Sequence, residues 1–387
     1  MTVETTQDIV IIGGGITSLA AAYQLQQTQP EATITLIEAA DYLGGKIATD
    51  YIDDFILEAG PDCFLARKPR GIGLSEEMGI TDQLQGRKPA KERAYVMRHG
   101  RLHTLPEGLS GMIPTQLEPL LNHSLLSEKG AKRVAEEPNI PPKTDDSEES
   151  VGQFVSRRLG REAFENIVEP LMGGIYAGQA AELSIMATFP QLRQLELKHG
   201  SLLKGLSNAT PPADSQYPPF VSFKNGMADL VTHITRRFNQ NITIHLNTKA
   251  TQIQQAPDGT WLTTIEASQS KIQNLKSKIL ILTTPAFINA QLLTDVASDA
   301  AAAHADIPYA STALVNFAFN TADLPELPKG YGYVTPQVEK REALACTWTS
   351  QKWDNRAPEG KTLLRVYIGR YGEADVTQYP DERLIDI

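Results

Sequence analysis

The chain has 387 residues, 41% of them hydrophobic, and a formal net charge of −10. That length exceeds one ordinary core and predicts two or three domains, and the acidic balance excludes a general nucleic-acid or anionic-surface binder. No apolar run approaches the roughly 18 residues of a membrane-spanning helix, and the polar start MTVETTQD lacks the apolar centre of a secretory signal. A cytoplasmic setting follows, with Cys63 and Cys346 as free thiols.

Residues 9–12 (IVII) read as a short strand buried on both faces. Gly13, Gly14 and Gly15 then form a tight turn, and Ile16 opens a helix whose Ile16, Leu19, Ala20 and Tyr23 share a face predicted to pack on a sheet. A second strand, 34–37 (ITLI), ends at Glu38 and is followed by Gly44 and Gly45. This is the βαβ pattern that holds the ADP half of a dinucleotide. Glycines let the backbone approach a pyrophosphate at the helix N-terminus, and a carboxylate at the second strand's end takes the ribose hydroxyls. The candidate contacts are Gly13, Gly14, Gly15, Ile16, Thr17, Ser18 and Glu38. Ser18 stands where the motif has its third glycine; that position serves close helix–strand packing, and serine is small enough to fit. Glu38 would repel a 2′-phosphate, which allows FAD or NAD and argues against NADP.

Gly60-Pro61-Asp62-Cys63-Phe64 reads as a compact turn, either a backbone cradle near a flavin or a purely structural bend. The basic run Arg67-Lys68-Pro69-Arg70 is either a solvated loop or a grip for a carboxylated substrate. Residues 95–105 suggest a hairpin around His99-Gly100. His99 and His103 have metal-pair spacing, but the hairpin and the lack of a third ligand nearby argue against a metal site. Residues 109–126 are moderately apolar, suited to touching a membrane but not to spanning one.

Residues 136–150 (EEPNIPPKTDDSEES) predict an exposed, solvated loop. Ser150 and Gln153 form a capping-box pair, opening a helix with Val151, Phe154, Val155 and Leu159 on one face and Gly160 at its end. Phe164, Ile167, Val168 and Leu171 mark the next helix. Extended patterns return at 242–246, 261–265 and 279–283, the last (ILILT) reading as a buried strand that rejoins the nucleotide domain. Residues 313–319, 343–349 and 363–368 suggest an antiparallel sheet suited to flooring a substrate cavity. The sequence ends about two turns into a helix that begins at Pro380, as if a longer protein continued.

Several segments together resemble the porphyrinogen oxidase family, within the larger amine-oxidase-like group of FAD proteins. They are GGGITSLAAAY, EAADYLGGKI, EAGPDCFLARKP, PLMGGIYAG with LSIMATFP, and ACTWTSQKW. The resemblance covers nearly the whole chain and is nearest the bacterial branch that oxidises coproporphyrinogen III or protoporphyrinogen. It implies FAD as cofactor, with contacts at Ala39, Gly45, Lys46, Gly60, Pro61, Asp62 and Cys63 added to the glycine turn and Glu38, and with Ala250, before a strand end at Ile253, beside the adenine. It implies substrate contacts at Arg67 or Lys68, facing a propionate, and at Gly174 and Ile175, approaching the ring. The family carries glycine at the Ser18 position and serine at the Cys63 position, and it continues past residue 387 with further FAD contacts.

The expected architecture is α/β: an FAD-binding Rossmann-like domain (1–80 and 218–286), an antiparallel-sheet substrate domain (81–110 and 287–387) and a helical insertion (111–217). The expected activity is oxidation of a porphyrinogen to the porphyrin of heme biosynthesis, with dioxygen as acceptor and no nucleic-acid partner. Peripheral membrane contact, another flavin amine oxidase, a carotenoid-desaturase-like enzyme and a fragment without FAD all stay open at this point.

Overall fold

The computed structural model describes residues 6–90, 94–110, 113–114, 116–177, 179–207, 216–267 and 273–387. They form two units: Met1–Gly86 with Tyr217–Pro308, and Arg87–Gln216 with Tyr309–Ile387. Gly178, the last residue of the PLMGGIYAG run, lies outside the described residues, as do three positions of the 109–126 stretch.

In the first unit, strand β1 (Thr6–Ile12), helix α1 (Ile16–Thr28) and strand β2 (Ile34–Ile37) make the expected βαβ start. The sheet order is Ile242–His245, β2, β1, Gln273–Leu282, Trp261–Ala267, Thr248–Gln255. Its first four strands are parallel, and the last three form an antiparallel meander. The unbroken IVII run has a simple cause. Ile9 and Ile11 pack with Ala22 of α1, while Val10 and Ile12 pack with Ala250 and Ile253 of the meander. Each fully buried aliphatic chain contributes about 2 kcal/mol, and none of the four is more than 4% exposed.

The face of α1 differs from its expected role. Ala22 meets the sheet, but Leu19, Ile16 and Tyr23 pack with Leu230, Val231 and Ile234 of the Ala228–Thr235 helix and with Met78. Gln26 locks this second contact, donating to the Arg237 carbonyl at 2.7 Å and accepting the Asn239 N–H at 2.9 Å. Ile253 is also not a strand end: its strand continues to Gln255, past an irregularity between Ala250 and Gln252.

In the second unit, a six-stranded sheet runs Ala313–Asn320, Lys361–Ile368, Ala343–Trp348, Gly332–Val334, Tyr95–Arg98, Arg101–Thr104. The His99-Gly100 turn takes left-handed backbone at both residues, φ 50° and 72°. Around this sheet lie helices, including Val151–Leu159, which begins with the expected capping box. Next comes a helical stretch from Arg161 to Tyr176 that widens to a π-turn at Phe164–Val168. Pro170 sits just after the widening; it has no N–H to continue the regular helical ladder.

The 136–150 loop is not simply solvated. Glu137 is fully buried and Glu149 nearly so. Glu137 accepts from both Arg158 and the Leu202 N–H, and Glu149 holds Arg157 through bonds of 2.8 and 2.9 Å. Two carboxylates in an acidic stretch thus answer two adjacent arginines on the Val151–Leu159 helix, a pairing that local sequence does not display. Among the described residues, no helix is long and apolar enough to cross a membrane.

Candidate functional site

The glycine turn between β1 and α1 is shaped by close contacts on two sides and by open space on the third. Gly13 has φ 111°, and a Cβ there would lie 2.5 Å from Thr283 Oγ1. At Gly14 a Cβ would lie 2.7 Å from Glu38 Oε2. At Gly15 it would meet nothing within 4 Å. Gly15 caps α1 without a side-chain bond, and the first turn of the helix holds no acidic residue. Its amides are therefore available to an anion, and the helix dipole favours one there. Ser18 occupies the third-glycine position while fully buried, because its hydroxyl turns back to donate to the Gly15 carbonyl at 2.6 Å.

Glu38 does more than face a ribose. Its Oε2 accepts the Gly14 N–H at 2.5 Å and its Oε1 accepts the Ala40 N–H at 2.7 Å. Each oxygen keeps a second lone pair, so the carboxylate can shape the turn and still accept ribose hydroxyls. The Gly44-Gly45 turn lies directly against this one: Gly44 N–H donates to the Gly14 carbonyl at 2.8 Å. A Cβ on Gly45 would stand 3.2 Å from Gly15 Cα. Ala39, Gly45 and Lys46 are exposed on the same rim, as is Thr17, with Ile16 half-buried beside it.

Gly60 brings in the next segment. A Cβ there would lie 1.7 Å from the Lys46 carbonyl oxygen, so only glycine lets residues 60–63 pass so close. Asp62 is buried, and its carbonyl accepts the Ser222 hydroxyl at 2.6 Å. Pro61 is exposed and Cys63 half-buried. Ala250 is reached from the β2 side: Thr248 N–H donates to the Glu38 carbonyl at 2.9 Å. Ala250 itself packs with Ile37 and Ile12. The expected cofactor residues of the first unit thus converge on the end of β1, the start of α1 and the end of β2.

Two supporting residues were not singled out in the sequence. Thr283 closes the back of Gly13, its hydroxyl donating to the Ile12 carbonyl at 2.7 Å. Glu58, 3% exposed, accepts the Met227 N–H at 2.9 Å and the Thr49 hydroxyl at 2.7 Å, tying the strand before Gly60 to the Ala228–Thr235 helix. The available signal for Glu58 was a lone carboxylate closing the apolar strand FILE.

Arg67 and Lys68 are exposed, as is Arg70. Lys68 is the cap residue of helix α2 (Pro69–Met78), whose first turn carries no acid. Gly174 and Ile175 belong to the second unit, at the end of the Glu169–Tyr176 helix, where Ile175 is 66% exposed. Two other arginines are committed within the second unit. Arg98 pairs with Glu339 and donates to Asn166 at 3.1 Å. Arg365 is buried, its guanidinium 4.9 Å from the centre of the Tyr367 ring. Among the described residues, no group of three or more His, Cys, Asp and Glu side chains is placed to hold a metal ion.

A parallel sheet with a glycine turn, an open helix N-terminus and a strand-end carboxylate defines a dinucleotide-binding oxidoreductase fold. Residues 18–387 match the family of flavin containing amine oxidoreductases, and the chain belongs to it. It is 34% identical to a coproporphyrinogen III oxidase of Bacillus subtilis, over 98% of this chain and 81% of that one. It is 32% identical to the enzyme of the same name from Staphylococcus aureus, over 99% and 82%. Its fold matches that of a candidate protoporphyrinogen oxidase from Exiguobacterium with a TM-score of 0.87 and 31% identity, over 99% and 81%. The protein is therefore an FAD-dependent oxidoreductase, and the glycine cradle fits that cofactor: the space beside Gly15 is open, and both oxygens of Glu38 can accept further bonds.

Proposed function

We propose that this chain oxidises a porphyrinogen to the porphyrin in heme biosynthesis, with coproporphyrinogen III as the preferred substrate and dioxygen as the final oxidant. The observation that carries the substrate class is the cationic start of α2. Arg67, Lys68 and Arg70 surround an uncapped helix N-terminus free of acids, a few residues beyond the Gly60–Cys63 bend. Three cations and a helix dipole suit a carboxylated substrate and have no evident structural task. The bacterial coproporphyrinogen III oxidases described above, at 34% and 32% identity, support the four-propionate substrate over one with two.

FAD, when bound, supplies the two-electron chemistry, taking hydride from a methylene bridge and passing electrons to dioxygen. The chain supplies position. The α1 N-terminus takes the pyrophosphate, Glu38 and Ala39 the ribose, and Ala250 the adenine, while Gly45, Lys46 and Gly60 to Cys63 line the approach to the flavin. The family resemblance assigns a propionate contact to Arg67 or Lys68 and, separately, a ring contact to Gly174 and Ile175. The pyrrole proton leaves to solvent; no strong base is required, because growing aromaticity drives the reaction. The enzyme works in the cytoplasm, with any membrane contact peripheral.

Rates with coproporphyrinogen III and protoporphyrinogen IX, measured for the wild type and for a R67A/K68A variant, test this reading. Faster turnover of coproporphyrinogen III, with a raised KM in the variant, supports it. Equal rates would remove the selectivity, and an unchanged KM would remove the cationic grip.

A further inference from the structure

The end of the Glu169–Tyr176 helix presents Ile175 and Tyr176 outward, 66% and 43% exposed, and then stops at Ala177 in left-handed backbone, φ 47°. An apolar, glycine-containing helix end exposed in this way has little of its own to hold it in place. Core packing holds one side, through buried Met172 and the edge-to-face contact of Tyr176 with Phe189, and the polar anchor is a short segment following the Lys361–Ile368 strand. At the helix start, Arg370 Nη1 lies 3.4 Å from Glu169 Oε1. At the helix end, Tyr371 N–H donates to the Ala177 carbonyl at 2.8 Å, and Gln179 Nε2 donates to the Tyr371 carbonyl at 3.3 Å. The pair is anchored on its other side as well: Arg370 Nη2 donates to the Thr335 carbonyl at 2.7 Å, and Glu169 Oε2 accepts the Gln337 N–H at 2.9 Å.

The two glycines of the helix fit this arrangement. A Cβ on Gly173 would lie 3.1 Å from Arg370 Nη1, and one on Gly174 would lie 3.1 Å from Val334 Cγ1. Glycine inside a helix costs about 1 kcal/mol against alanine; here it lets the helix lie directly on the guanidinium and on the sheet.

We propose that Glu169 and Arg370 are positioning residues that hold Gly174 and Ile175 in register for the substrate. This rests on the assignment of those two residues to the substrate in the proposed function. Glu169 and Arg370 are 5% and 4% exposed, and a buried ion pair is a poor source of stability, since apolar residues of similar size do as well or better. Its distinctive product is fixed geometry. Burial pushes the Glu169 carboxyl above its ordinary value, the Gln337 N–H and Arg370 draw it partly back, and Glu165 adds to the rise. The Gln337 N–H and Arg370 are thus the groups that offset the cost of burying this carboxyl.

The test uses the FAD-loaded protein with E169Q and R370K. In E169Q, KM for coproporphyrinogen III rises between roughly twofold and thirtyfold, the range expected for a residue that acts on a site without touching the ligand, while kcat stays within about twofold. R370K keeps the charge and gives a smaller rise. Amide exchange at residues 174–177 quickens in E169Q with the flavin absorbance unchanged. Unchanged KM in both variants, or kcat and KM altered only in step with a lost melting transition, would overturn the proposal. Should E169Q not fold, R370K decides by the same readouts. The exchange measurement separates the two claims. If the wild type turns over no porphyrinogen, the function falls, while unaltered exchange at 174–177 in a folded variant overturns the positioning role whatever the substrate.

Discussion

Glu38 closes on the turn it faces, its Oε2 accepting the Gly14 N–H at 2.5 Å while its Oε1 accepts the Ala40 N–H at 2.7 Å. One carboxylate therefore shapes the phosphate-binding loop and waits for the ribose. E38A leaves two amides without their acceptor and should cost about 1–3 kcal/mol of stability along with most of the affinity for FAD. E38Q keeps the shape and one acceptor but turns its NH2 toward the other backbone N–H, so it should lose less stability than E38A, though not none, and lose FAD affinity by a smaller factor. Thermal melts of the flavin-free protein and fluorescence titration with FAD separate the two effects.

Gly15 and Gly60 make an opposed pair of alanine substitutions. A Cβ at Gly15 meets no protein atom within 4 Å, so G15A should fold normally and yet bind FAD weakly, because the methyl occupies the pyrophosphate's space. A Cβ at Gly60 would stand 1.7 Å from the Lys46 carbonyl oxygen, so G60A must displace backbone and should lower the melting temperature of the protein even without FAD. Comparable melting temperatures for G60A and the wild type would contradict the close approach.

The two cysteines should react very differently. Burial pushes the Cys346 thiol up to about 11, against a small opposing effect of the Arg365 backbone. Cys63 is only half-buried. Because the thiolate is the nucleophile, iodoacetamide at pH 8 should label Cys63 in the native protein and leave Cys346 intact until the chain is unfolded. Peptide mapping by mass spectrometry reads this directly.

Asp8 contributes to the pH dependence of the nucleotide unit, as does Asp258, which Lys276 and Thr260 hold below the usual carboxylate range. Asp8 bonds to Lys278 and to the Thr33 N–H and hydroxyl, which hold its carboxyl down at about 2. A carboxyl lowered on folding adds stability above its unfolded value of 3.8, and that stability is lost as pH falls through about 2. D8N should therefore be less stable than the wild type at pH 6, with the gap closing towards pH 2. Solvent screening of this exposed group keeps the effect small. Denaturant melts across that range measure it.

The βαβ start was legible because each of its residues has a local reason. IVII is apolar on both faces, three glycines stand where the backbone must turn, and Glu38 closes the next strand. The capping box at Ser150 and Gln153 was legible for the same reason, since both halves of the bond lie within one turn. What stayed hidden depends on distant partners. Glu137 and Glu149 read as solvated acids until Arg158 and Arg157 are folded against them. The face of α1 was assigned to the sheet because nothing in its own sequence announces the Ala228–Thr235 helix. Gly60 looked like a turn residue, and only the fold shows the Lys46 carbonyl against it. Glu169 and Arg370, 201 positions apart, carry no mutual signal at all.

The most direct test of the account is to load the chain with FAD, supply coproporphyrinogen III in air, and follow porphyrin fluorescence and hydrogen peroxide together. The expected result is a yellow protein that forms coproporphyrin faster than the flavin-free protein does, with three peroxides released for each porphyrin. Porphyrin formation at the same rate with and without bound FAD would contradict it.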